Sequence, residues 1–184
     1  MGKRDPQKIT LGSGKVYIQE YDDSASGLPE VSAICIEDNL LGHIQGGAEL
    51  SYTVETHEEK DDLGLVSKVV VTAEEALLKL GMITWNGDTL AKLVDRCAVT
   101  TASGKRTVKI GGAGNAQGKQ WVICFAHEDK VDGNLWVLMR GANTAGFTLT
   151  FAVDTATKIE PEFKALPSDD DGTLITLIEE TDAA

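Results

Sequence analysis

The sequence predicts a mainly β chain, a twisted β-sandwich or small barrel with one flanking α-helix. Runs of β-branched and aromatic residues recur between clusters of Gly, Asp and Ser, the punctuation of strands joined by turns. In "GGAELSYTVETHEEKDDLGLVSKVVVT" (46–72), Ala48, Leu50, Tyr52 and Val54 alternate with Glu49, Ser51, Thr53 and Glu55, the period-2 pattern of a strand with one apolar and one polar face. One stretch, "DTLAKLVDRCA" (88–98), repeats apolar residues at helical spacing. With 184 residues, 42% hydrophobic and 25% charged, the chain fits a single domain, 1–184, able to bury a core.

In chain order, "KVYIQEY" (15–21) reads as a strand bounded by "GSG" and "DDSASG". "EVSAICIED" (30–38) reads as a second strand and "NLLGHIQGG" as a connector with glycines near both ends. The hairpin 46–72 follows, its arms joined by the acidic "HEEKDD". "TAEEALLKLGMITWNGD" is ambiguous: Ala73 to Leu78 favour helix by propensity, yet the segment continues a strand and runs into "MITW". In 88–98, Asp88 is the expected N-cap, and Leu90, Leu93, Val94 and Cys97 share the apolar side of the helix. Strands are expected at "KRTVKIGG", "KQWVICFAHED", "NLWVLMRGA" and "FTLTFAVD", with "EDKVDGNL" a hairpin link between the second and third. "EFKALP", the turn "SDDDG" and a last strand in "TLITLIEE" close the chain.

The formal net charge is −12 and the pI about 4.6. A free-standing nucleic-acid binder needs the opposite sign for its phosphate contacts. Acidic balance suits a soluble protein, or a wall that must not hold a passing polyanion. Cys35, Cys97 and Cys124 are far apart in sequence with no C-x-x-C spacing, which points to reduced, mostly buried thiols. "MGKRDPQK" has no apolar h-region and "WVICFA" is too short to span a bilayer, so a protein made in the cytoplasm is expected.

Motifs for chemistry fail one by one. In "GGAGNAQGKQ" (111–120), Ala113 and Gln120 break a Walker loop and Gln117 breaks G-x-G-x-x-G; a turn between strands is expected. His43, His57 and His127 form no H-E-x-x-H. If Gly172 of "SDDDG" is set at the obligatory glycine of a calcium loop, Ile178 falls where the bidentate Glu belongs. No G-x-S-x-G occurs. A non-enzyme without cofactors or metals is expected. Two further readings stay open: a monomeric acidic β-barrel that binds a small ligand or peptide, and a metal-dependent hydrolase using His127, Glu128 and Asp129.

After the hairpin come "TWNGDTLAKL", "GKRTVKIGG", "FAHEDKVDGNLWV", "NTAGFTLTFA" and "EFKALPSDDDGTLITL". This order and wording resembles the tail tube proteins of long-tailed bacteriophages, most of all those of clostridial-type contractile phages and related tail-like bacteriocins. The resemblance runs from "KVYI" to "LITL" and rests on phrasing and element order. It implies a virion protein, assembled in the bacterial host cytoplasm, that forms hexameric rings stacked into a hollow tube. Inner strands of six copies would join one ring-shaped barrel through which DNA passes without specific binding. Sheath, baseplate or initiator, and terminator proteins would be partners, and no membrane anchor is implied. Glu49, Ser51, Thr53 and Glu55 would then face the lumen while Ala48, Leu50, Tyr52 and Val54 pack into the subunit core. His57, Glu58, Glu59, Lys60, Asp61 and Asp62 would reach a neighbour and meet Lys3, Arg4, Lys105, Arg106 or Arg140. Residues 1–14 and 179–184 would be arms that order on assembly.

Overall fold

The computed structural model describes residues 10, 12–24, 27–154 and 156–181. Lys3, Arg4 and most of the expected N-terminal arm lie outside the described residues, as do 182–184 of the C-terminal tail. The fold is mainly β. Its strands are β1 (Lys15–Glu20), β2 (Leu40–Lys60), β3 (Ser67–Met82), β4 (Cys97–Ala102), β5 (Lys105–Ile110), β6 (Trp121–His127), β7 (Leu135–Asn143), β8 (Glu162–Leu166) and β9 (Thr176–Glu179). Two helices interrupt them, α1 (Val31–Ile34) and α2 (Gly87–Leu93).

Every ladder is antiparallel. β6 pairs with β1, β1 with β2, β2 with β3, β3 with β8, β8 with β7, and β7 again with β6. The sheet therefore closes on itself as a six-stranded barrel, which removes the open edges a flat sheet would expose. β7 gives one edge to β6; its other edge is shared by β9, at Leu135–Leu138, and β8, at Arg140–Asn143. Tight barrel packing demands glycine at Gly141, where a Cβ would sit 2.4 Å from the Lys164 carbonyl oxygen.

Period-2 alternation fills the interior. Val16, Ile18, Leu78, Leu80, Met82, Ile123, Met139, Ile159 and Phe163 form the inner cluster, with Leu90 and Leu93 of α2 beside them. The neighbours on the outer face of β1, β6 and β7 are buried too. Tyr17, Val122, Cys124, Ala126 and Leu138 pack under Ile34, with Val31 and Cys35 at the side. Two-sided burial explains why "WVICFA" is apolar without alternation.

Several sequence expectations need correction. "EVSAICIED" is not a strand but α1 and a 3-10 turn at Glu37–Asn39. A helical turn brings Val31, Ile34 and Cys35 onto one face over the outer cluster, whereas an extended chain would turn Ile34 away. "NLLGHIQGG" is not a connector but the first part of β2. The ladder skips between Ile44 and Ala48, where Gly46 and Gly47 adopt φ of 95° and 87°, a glycine-made bulge. The ambiguous 73–82 is strand: Ala76, Leu78, Leu80 and Met82 alternate into the core, and that burial outweighs helix propensity. The expected strand "FTLTFAVD" has no ladder; β7, the strand before it, has both edges occupied.

α2 is shorter than 88–98, and Asp88 does not cap it. Asn86 does: its side chain accepts from the Asp88 and Thr89 amides at 2.8 and 3.0 Å, and the Asn86 amide donates to Thr89 Oγ1, a capping box. Side chains from elsewhere satisfy the last carbonyls of the helix. Gln117 donates to Ala91 O and Val94 O, and Asn143 to Leu93 O. Cys97 thus belongs to β4, and β4 with β5 forms a separate two-stranded ribbon tied to α2 by the Arg106–Asp88 ion pair at 2.7 Å.

Phe163 is wholly buried at the barrel centre. Phe163→Ala is expected to lower unfolding stability by about 3–5 kcal/mol in urea titration. Asn86→Ala should cost about 1 kcal/mol through the lost cap, so the two variants rank core packing against capping in one experiment.

Candidate self-assembly surface

β2 and β3 leave the barrel together. Past His43, β2 has β3 as its sole ladder partner among the described residues, and β3 before Leu77 has only β2. All of residues 52–74 are exposed. The nine residues from Tyr52 to Lys60 carry the hairpin roughly 30 Å beyond the last strand that pairs with it on either side.

Directly opposed residues share a face. On one face stand Leu50 opposite Leu78, Tyr52 opposite Ala76, Val54 opposite Glu74, Thr56 opposite Val71 and Glu58 opposite Val69. At the root this face is the barrel interior, since Ala76 and Leu78 are buried; outward it continues as bare Leu50, Tyr52, Val54, Val71 and Val69, 38 to 58% exposed. The other face carries Glu49 opposite Lys79, Ser51 opposite Leu77, Thr53 opposite Glu75, Glu55 opposite Ala73 and His57 opposite Val70. The expected polar set Glu49, Ser51, Thr53 and Glu55 therefore does share one face. The expectation that Ala48, Leu50, Tyr52 and Val54 pack into the subunit core is overturned for this chain alone: they point the right way, but the arm outruns the core.

Ion pairs brace the polar face. Lys79 bonds Glu162 at 3.1 Å, and Lys164 bonds Glu75. The Glu162 carboxylate holds the Lys79 ammonium above its ordinary range, first by hydrogen bond and then by charge. On the apolar face, the Tyr52 hydroxyl donates to Glu74, which raises the phenol above its ordinary range.

The tip residues are less free than their charges suggest. Asp61 Oδ1 accepts the Val66 amide at 2.7 Å, and Asp61 O accepts the Gly64 amide, so Asp61 builds the turn. His57 pairs with Glu59 at 2.7 Å and Lys60 with Glu58 at 3.1 Å, all within the hairpin. Beyond them Leu63, Leu65 and Val66 are 69 to 79% exposed, so the tip is apolar at its extremity and acidic behind it.

The basic candidates separate. Arg106 is engaged by Asp88. Arg140 lies over the Tyr21 ring at 4.0 Å, donates from Nε to Gln120 at 2.7 Å and from Nη1 to Pro167 O at 3.1 Å, and reaches Asp23. It ties the segment after β1 to β7 and is occupied within the subunit. Lys105 is exposed at the turn of the β4–β5 ribbon. Lys3 and Arg4 lie outside the described residues.

His127, Glu128 and Asp129 do not converge. His127 is buried with Nδ1 at 2.9 Å from Ser13 O, Glu128 binds Lys15, and Asp129 Oδ1 accepts the Val131 and Asp132 amides. No group of three His, Cys, Asp or Glu among the described residues is placed to hold a metal ion. "GGAGNAQGKQ" wraps the end of α2 through Gln117 and Asp95, and Asp169 of "SDDDG" accepts the Thr173 amide in a turn. No described helix is long and apolar enough to cross a membrane. No family model matches the chain, and no curated protein matches it.

Sequence reasoning missed the second exposed run. Phe147 and Leu149 lean on the core, but Phe151 and Val153 are 76% and 107% exposed. Val69, Val70 and Val71 are exposed as well, since three successive valines in a strand must place apolar groups on both faces.

Asp61→Ala should leave global stability within about 0.5 kcal/mol while the Val66 amide exchanges faster, read by hydrogen exchange. Arg140→Lys keeps the charge but loses the stack and the fork; a loss of about 1–2 kcal/mol in monomer unfolding is expected.

Proposed function

We propose that this chain is a structural subunit that assembles with copies of itself, through the projecting hairpin, into the stacked rings of a phage-type tail tube. The observation that carries this reading is the distal β2–β3 arm, with two edges open among the described residues and an apolar face continuous with the core. Hexameric rings, a DNA-conducting lumen and location in a virion tail rest on the resemblance of the sequence to tail tube proteins, with sheath, baseplate or initiator, and terminator proteins as further partners.

Magnitudes favour a closed ring over a simple pair. Each half-exposed Leu, Val or Tyr on the apolar face contributes roughly 1 kcal/mol if its remaining surface is covered. Five such residues give roughly 5 kcal/mol, against an association cost of about 4–15 kcal/mol. One contact is therefore marginal. In a ring every copy makes two, and the open ladder edges gain backbone partners. The strand-forming but unladdered run 147–154 supplies further sequence for those edges. A polar wall of Glu49, Ser51, Thr53 and Glu55 would give an acidic lumen that phosphate slides past without counterion-release binding.

Negative-stain electron microscopy of concentrated protein tests the reading. Rings or hollow tubes with six-fold end views are expected, and added salt should favour them by screening the net charge of −12. Tyr52→Lys with Val71→Lys alters exposed positions, so the melting temperature should hold while tubes disappear. Tubes of normal yield from that variant, or wild-type protein that stays monomeric at every concentration even when seeded, would contradict the proposal. Reversing Glu58, Glu59 and Asp62 to Lys, with Asp61 kept for its turn, asks whether the tip sets stacking: rings without tubes are expected.

A further inference from the structure

We propose that Cys35 and Cys124 form a dithiol that closes to an intramolecular disulfide when a small-molecule disulfide is available, stapling the α1 segment to the outside of the barrel. Separated by 89 positions in sequence, their Sγ atoms lie 3.6 Å apart. A modest side-chain rotation brings thiols at that distance into bonding range. Cys124 sits mid-strand in β6 and is wholly buried, whereas Cys35 follows α1 and is partly exposed. Of the two residues only Cys35 reaches the surface, with Cys124 behind it, the arrangement of an attacking and a resolving thiol. Cys97 is buried in β4 and paired with neither, so it serves as an internal control.

The step balances with glutathione disulfide as oxidant. The Cys35 thiolate attacks one glutathione sulfur, the glutathione S–S bond breaks, and one glutathione leaves and takes up a proton. Cys124 then attacks Sγ of Cys35 while its proton passes to the departing sulfur, and the second glutathione leaves as a thiol. The protein loses two hydrogens and two electrons, and one glutathione disulfide becomes two glutathione thiols.

The environment sets the rate. Burial raises the Cys35 thiol above its ordinary range, with the Glu128 charge adding to it and the hydrogen bond from Cys124 opposing it. Cys124 is pushed up further, again by burial first. Both are neutral thiols at neutral pH, so exchange is slow there and speeds up as pH rises. Closure ties the segment after α1 to β6 across a long loop that includes the hairpin and α2. This inference stands independently of the tube reading.

The test uses folded, full-length protein incubated with glutathione disulfide at neutral and mildly alkaline pH, followed by intact mass and non-reduced peptide mapping. The expected result is loss of two hydrogens, a Cys35–Cys124 linked peptide, Cys97 still open to alkylation after denaturation, and a melting temperature higher by on the order of 10 °C. Oxidation should speed up several-fold at the higher pH, and a thiol reductant should reverse it. Cys124→Ser should instead trap glutathione on Cys35. A wild-type protein that keeps three titratable thiols, or that accumulates a glutathione adduct with no linked peptide, would overturn the proposal.

Discussion

The ladder between β2 and β3 runs from Ile44 opposite Met82 to Lys60 opposite Ser67, and the rest of the molecule is arranged around its two unequal halves. At the root, Leu78, Leu80 and Met82 fill the barrel, which fixes the register of the pair because a slip of one residue would turn them to solvent. Since register propagates along a ladder, the buried root also dictates which face of the distal arm is apolar. The glycine bulge at Gly46–Gly47 and the shift at Thr56 move the register without ending the ladder. A monomer core thereby orients a surface that it does not itself cover.

That division leaves the stability of one copy independent of the exposed arm. The folded state of one copy depends on the inner cluster, the outer cluster under α1, and the caps on α2. None of the distal residues Tyr52, Val54, Val69 or Val71 is buried in it. The polar pairs follow the same division: Arg140 and Arg106 hold the chain to itself, and at the tip Lys60 pairs with Glu58 while the His57 ring is hydrogen-bonded to Glu59, both within the hairpin. In the proposed assembly, contacts between copies would therefore rest on the apolar face and the open edges more than on charge pairing, since exposed salt bridges contribute little.

Much of the fold was legible because strands announce themselves by alternation and turn residues. The Asp-Gly link at 132–133 marked the β6–β7 hairpin, and Gly133 takes the positive φ such a turn needs. What escaped was set by distant partners. Val31, Ser32 and Ala33 look equally ready for a strand; only the outer cluster demands the turn that brings Ile34 inward. Leu77 obscures the alternation of 73–82, because it lies on the polar face where Lys164 opposes it. "FTLTFAVD" carries a strand pattern that no edge of its own chain completes. For the surface, alternation identified the two faces correctly, but no local signal tells how far a hairpin outruns its core. The closeness of Cys35 and Cys124 is a tertiary fact with no trace in their spacing.

The most direct test of the account is hydrogen exchange on the same protein, dilute and assembled, read at the outer-edge amides of residues 48–58 and 67–74. Fast exchange at those edges in the monomer and protection gained there on assembly are expected, because neighbouring strands would complete the ladder. Assembled particles whose hairpin edges exchange as fast as in the monomer would contradict it, and would place the contact between copies on another part of the barrel.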